Sequence, residues 1–186
     1  MWRFAIGVCL LLISSVIALY MVPPVFRVER HGLFGLGAQQ YRKSWIFRQG
    51  IVSYALVTAA NLLSDLWLWR APSAVSALLF IGAVCFGLTA FFQPPPMLRR
   101  AGFDETAAFR HRRLFLAGIA FYAAAITLTL ILHSTGLSIF FNLAILLMVM
   151  LSLVQSRRQE NTKGLFETLA FALCIIWPLL LYPVYF

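Results

Sequence analysis

A chain of 186 residues has the length of one domain, but 62% of its residues are hydrophobic, only 11% are charged, and the mean hydropathy is +0.87. Soluble domains carry roughly half apolar and about a quarter charged residues, so this composition excludes an ordinary soluble domain and implies a membrane protein. The net charge of +9 comes from 15 Lys and Arg against 6 Asp and Glu, and charges this sparse have to sit in particular loops.

A hydrocarbon core about 30 Å thick takes roughly 20 apolar residues at the helical rise of about 1.5 Å. Six runs come close to that length: 4–21, 50–69, 73–92, 113–133, 137–155 and 165–182. They are uninterrupted, which favours helices over barrel strands. The expected fold is all-α, a six-transmembrane-helix bundle forming a single domain over 1–186.

In chain order, Met1-Trp2-Arg3 ahead of the first run resembles the charged start of a signal peptide. No A-x-A-like cleavage site follows, and the run is read as a span. After Pro23-Pro24 comes His31 and the glycine-rich Gly32-Leu-Phe-Gly35-Leu-Gly37. With no preceding strand and no G-K-[ST], this is a turn or re-entrant corner rather than a phosphate loop. Tyr41, Trp45 and Phe47 alternate with Arg42, Lys43 and Arg48, a pattern that suits a segment on the membrane surface.

Within the second span, Tyr54, Thr58, Asn61 and Asp65 follow helical spacing along one face. The third span ends at Pro94-Pro95-Pro96. Asp104 is placed to cap the next helix, with Glu105 in its first turn. His133 ends the fourth span and Asn142 lies about one turn into the fifth. Glu167 reads as a first-turn carboxylate of the last helix, and Pro178 should kink that helix or end its regular part. Ala83 with Gly87, and Ala120 with Ala124, offer small-residue faces for close packing.

Thirteen basic residues (Arg27, Arg30, Arg42, Lys43, Arg48, Arg99, Arg100, Arg110, Arg112, Arg113, Arg157, Arg158 and Lys163) fall in or beside the first, third and fifth loops, leaving Arg3 and Arg70 for the other side. The positive-inside rule makes those loops cytoplasmic and both termini external, with a bacterial inner (plasma) membrane as the expected location.

Two constellations follow. An ionisable group inside a span is a functional candidate by default. Asp65 and His133, with Tyr54, Thr58, Asn61 and Asn142, therefore outline an external-facing polar pocket, or a polar stripe that holds the bundle together. On the cytoplasmic face, Arg42, Lys43, Arg48, Arg99, Arg100, Arg110, His111, Arg112, Arg113, Arg157 and Arg158 form juxtamembrane clusters that attract anionic headgroups at about 1 kcal/mol per residue. A nucleic-acid partner has no support beyond that same charge.

No H-E-x-x-H, no G-x-S-x-G and no paired acid and base occur, so neither a metal nor a cofactor is expected. Cys9, Cys85 and Cys174 are dispersed and read as small buried hydrophobes.

Gly35-Leu-Gly-Ala38, Phe91-Phe-Gln-Pro94, His111, and Gly164-Leu-Phe-Glu167 with Trp177 make the order of elements similar to the domain-of-unknown-function 998 family, six-span proteins related to the Frag/DRAM/Sfk type. The resemblance implies a six-helix bundle and no settled activity. The chain departs from that pattern at His31-Gly-Leu-Phe34 and at Thr168. The functional expectation is a non-enzymatic membrane component that binds an anionic lipid or partner protein, mainly through Arg99, Arg100, Arg110, Arg112 and Arg113. The alternatives are a small transporter or lipid-processing enzyme with its pocket at Asp65 and His133, and an accessory subunit of a larger complex or a homo-oligomer.

Overall fold

The computed structural model describes residues 2–67, 73–97, 102–132 and 136–185, with side chains except at 2–3, 65–66, 73, 137 and 180–185. Arg70, Arg99, Arg100 and His133, and the side chain of Asp65, lie outside the described residues. Those described are helical or in connecting turns, without a strand: α1 (Trp2–Tyr20), α2 (Val28–His31), a 3-10 turn (Leu33–Gly37), α3 (Ser44–Trp67), α4 (Ser73–Thr89), α5 (Glu105–Leu132), α6 (Gly136–Arg158), a short 3-10 turn (Glu160–Thr162) and α7 (Lys163–Tyr185). Each of the six apolar runs is a helix.

Four stretches, within α3, α5 and α6 and from the Glu160–Thr162 turn into α7, are long and apolar enough to cross a membrane: Ser44–Ser64, Glu105–Leu132, Ser138–Arg158 and Glu160–Leu179. Two more apolar helices, Phe4–Tyr20 and Ala74–Thr89, are shorter. The outer surface carries large exposed apolar side chains, among them Phe140, Phe141, Leu147 and Leu151 of α6 and Ile13 and Val16 of α1. In water such patches drive association; against lipid they are the ordinary surface.

The helix of the fourth span starts where the Asp104 cap predicts, while the placing of His111 and of Glu167 departs from the sequence expectation. Asp104 Oδ1 accepts from Ala107 N at 2.9 Å, so the cap starts α5 at Glu105, well before the apolar run begins. His111 is therefore inside a helix, not in a loop. Since α7 starts at Lys163, Glu167 is in the second turn rather than the first, and the helix runs through Pro178 to Tyr185 without ending there.

Helix α1 packs on α3, α3 on α4, α4 on α5 and α6 on α7, while α7 also meets α1, α5 and the Leu33–Gly37 turn. Aromatic side chains fill the centre. Phe34, Phe47, Tyr54, Phe86, Phe115, Tyr122, Phe171 and Trp177 are all buried. Phe47 is fully buried, which corrects its reading as an interfacial residue; Trp45, two positions earlier, is the exposed one. Ala83 is buried, and a Cβ on Gly87 would meet the Ala55 Cβ at 2.7 Å, so that small-residue face does bring α4 against α3. The other does not pack: Ala120 and Ala124 are exposed, and the tight crossing of α4 and α5 uses Gly82 against Tyr122 and Gly118 against Phe86. Of the cysteines, Cys174 is buried, Cys85 half-buried and Cys9 exposed.

Candidate functional site

The first and third loops are stitched together at one end of the bundle, and the start of α7 joins them. The Gln39 amide donates to Gln93 O (3.2 Å) and Asp104 O (2.8 Å) and accepts from Asp104 N (2.8 Å), while Gln39 N donates to Pro94 O (3.1 Å). Leu33 N donates to Thr168 Oγ1 at 2.8 Å, and that hydroxyl donates on to Gly164 O. Beside this bond Gly32 and Gly164 meet backbone to backbone. A Cβ on Gly164 would lie 2.0 Å from Gly32 N, and Gly32 itself sits at φ +64°. The glycine-rich segment is thus a corner tucked into the bundle, with Phe34, Gly35, Leu36 and Gly37 buried.

These contacts border a half-open cavity of about 350 Å³. Its polar wall is Arg30, His31, His111, Arg112, Lys163 and Glu167; its apolar floor is Phe34 and Phe115, and the Pro94–Pro96 strap closes one side. A second cavity of about 680 Å³ shares Arg30, His31 and Met97 with it and adds Arg27, Glu29 and Asn161. Among the described residues, three permanent cations (Arg30, Arg112 and Lys163) and one carboxylate line the first cavity. The carboxylate sits 3.9 Å from Lys163 Nζ, an open pair rather than a hydrogen-bonded one. Burial pulls the His31 imidazole below its usual range, and the positive charges of Arg30 and Arg27 push the same way. Its Nδ1 accepts from Arg27 N at 3.0 Å and its ring stacks on Phe26.

The arginines expected as headgroup contacts separate. Among the described ones, only Arg112 lines the cavity. Arg110 lies over the Phe92 ring (5.6 Å) and Arg113 over Phe109 (4.2 Å), both as cation–π pairs, and Arg48 Nε donates to Ala90 O at the end of α4. Arg42, Lys43, Arg157 and Arg158 are exposed. The structure adds Arg30, His31, Lys163 and Glu167, which lie far apart in sequence.

In the apolar interior, the polar stripe of α3 is partly used for packing. The Tyr54 and Tyr122 hydroxyls bond at 2.7 Å between α3 and α5, and Asn142 Oδ1 accepts from Trp177 Nε1 at 2.7 Å between α6 and α7. Thr58 Oγ1 and Asn61 Nδ2 are buried with no hydrogen-bond partner among the described residues. Interhelical hydrogen bonds in membranes average about 0.6 kcal/mol and reach about 1.7. Tyr54→Phe is expected to cost about 1 kcal/mol by leaving a buried hydroxyl on Tyr122, and Tyr54→Phe/Tyr122→Phe to cost no more than the single change, because both partners are gone. Thermal unfolding of the four proteins of that cycle in detergent measures the coupling; strict additivity would show that the pair is not a bond.

No group of three or more His, Cys, Asp or Glu among the described residues is placed to hold a metal ion. No family model matches the chain, and no curated protein and no solved structure does.

Proposed function

We propose that the chain is a six-span membrane protein that binds an anionic headgroup, without catalysing a reaction, in the cavity at its basic end. Helices α1 and α4, apolar but short, complete the six spans. At about 1.5 Å per residue the 17 residues of α4 cover about 25 Å, a modest mismatch that a bilayer accommodates by thinning. The basic loops face the cytoplasm, following the distribution of Arg and Lys, and both termini lie outside.

The observation that carries this reading is the cavity wall: Arg30, Arg112 and Lys163 around a space larger than one anion, set over an aromatic floor at the end of the bundle. Such a site neutralises a phosphate and lets the attached apolar chain run along the helices.

Native mass spectrometry of the purified chain, exchanged into phosphatidylcholine with or without phosphatidic acid, tests it. The anionic lipid should be retained preferentially. Arg112→Gln with Lys163→Gln should weaken that retention at least tenfold, at about 1 kcal/mol per cation. Equal retention of both lipids by the unaltered chain would overturn the reading.

A further inference from the structure

The cavity holds acceptors as well as donors, and this bears on which anion fits; the inference rests on the headgroup-binding reading above. Arg30, Arg112 and Lys163 can only donate. His111 behaves differently. Its Nδ1 lies 3.1 Å from Thr89 O, the buried carbonyl that ends α4, and 2.8 Å from Phe92 O in the turn that follows. Two carbonyls can be served only by an N–H, so Nδ1 carries a proton, and because burial disfavours a charged ring, Nε2 keeps its lone pair. Turning the ring over would put a carbon against both carbonyls. Nε2 is thus the ring nitrogen that these carbonyls leave free, on a side chain that lines the cavity. The Glu167 carboxylate is a second acceptor on the same wall, too far from Lys163 to be satisfied by it.

A bare phosphate would use the three cations, lay its oxygens beside Glu167 and leave the His111 lone pair unanswered. An amine headgroup would answer the acceptors but place a positive charge among three fixed ones. A hydroxyl is neutral and donates. The geometry points to a polyol phosphate: the phosphate lies on Arg30, Arg112 and Lys163, and the polyol hydroxyls donate to His111 Nε2 and the Glu167 carboxylate. A space of about 350 Å³, continued past His31 and Met97, has room for both parts. The same chemistry is offered by a lipid headgroup such as that of phosphatidylglycerol and by a soluble ester such as glycerol 3-phosphate.

The test uses the full chain in phosphatidylcholine nanodiscs, with phosphatidylglycerol and phosphatidic acid competing at equal mole fraction and retention read by native mass spectrometry. The expected result is about a tenfold preference for phosphatidylglycerol. His111→Asn keeps an amide N–H where Nδ1 stands and removes the Nε2 acceptor, so the preference should fall to within about twofold of parity. If that variant is unstable, Glu167→Ala serves as the second, with the same fall expected. Titration with glycerol 3-phosphate against inorganic phosphate, with and without phosphatidylglycerol in the disc, separates the sources. Displacement of the soluble ester by the lipid assigns the lipid, and undiminished ester binding assigns the soluble compound. Phosphatidylglycerol and phosphatidic acid retained equally, both above phosphatidylcholine, would overturn the polyol assignment and leave the anionic reading standing; neither retained above phosphatidylcholine would overturn both. An unchanged preference in folded His111→Asn and Glu167→Ala proteins would also overturn the assignment.

Discussion

Gly164→Ala is expected to lower the stability of the bundle by about 3 kcal/mol, the upper end of what overpacking costs. The reason is the identity of the atoms in the way. The added methyl would lie 2.0 Å from Gly32 N, 2.6 Å from His31 C and 2.7 Å from Arg30 C, all backbone. A clash with a side-chain tip is relieved by a rotamer change, but here α2 and α7 must move apart. That movement would break the Leu33 to Thr168 hydrogen bond and open the cavity wall that Arg30, His31 and Lys163 share. Gly32→Ala meets the same obstacle from the other side, 2.5 Å from Gly164 O, and carries the strain of φ +64° as well. Gly136→Ala is the control: its Cβ meets nothing within 4 Å among the described residues, and stability should stay within about 0.5 kcal/mol. Thermal unfolding in detergent, with headgroup retention measured on the same samples, reads both consequences. A Gly164→Ala protein as stable as the Gly136→Ala control would show that the two backbones do not meet.

The helices of this bundle could be read from the sequence because a membrane helix announces itself locally, by an unbroken apolar run. All six runs became helices, and the Asp104 cap was legible for the same reason, since a cap is a matter of three or four consecutive residues. What failed were statements about which side of a helix faces what. Ala120 and Ala124 have the spacing of a packing face but look outward, and Phe47 lies in an aromatic and basic stretch but points to the core. In a helix apolar on all sides, no hydrophobic stripe distinguishes the inner face. The site was further from reach. His31 and His111 are far apart in sequence and line one cavity in the fold, and Lys163 and Glu167 reach it through a contact between Gly32 and Gly164 that no periodicity encodes. One signal was present: Gly-Leu-Phe occurs twice, at Gly32-Leu-Phe34 and Gly164-Leu-Phe166, and the two glycines are the ones that touch.

Phe34→Ala is expected to be at least as damaging, at about 3–5 kcal/mol for a large aromatic removed from a packed core. Phe34 is 6% exposed and belongs to a loop, yet it stands at the centre of the aromatic cluster. Its ring meets Phe115 (4.8 Å), Phe171 (4.9 Å), His111 (5.5 Å) and Phe47 (5.9 Å), each edge-on. Those four partners come from α5, α7, α5 and α3, so a single side chain from the first loop holds three helices at the basic end. Edge-to-face pairs add about 0.5–1.5 kcal/mol each beyond buried area, which places this position toward the upper end of the range. The ring is also the floor of the cavity, so its loss should remove headgroup retention even in the fraction that stays folded. Phe34→Leu separates the two effects. It keeps most of the volume, should cost about 1.5 kcal/mol, and should retain the headgroup within about threefold of the unaltered chain. Unfolding midpoints and lipid retention on the three proteins decide the matter: if Phe34→Ala loses less than about 1 kcal/mol, the loop is not anchored by this ring, and the cavity must owe its shape to the Gln39 bonds and the glycine contact alone.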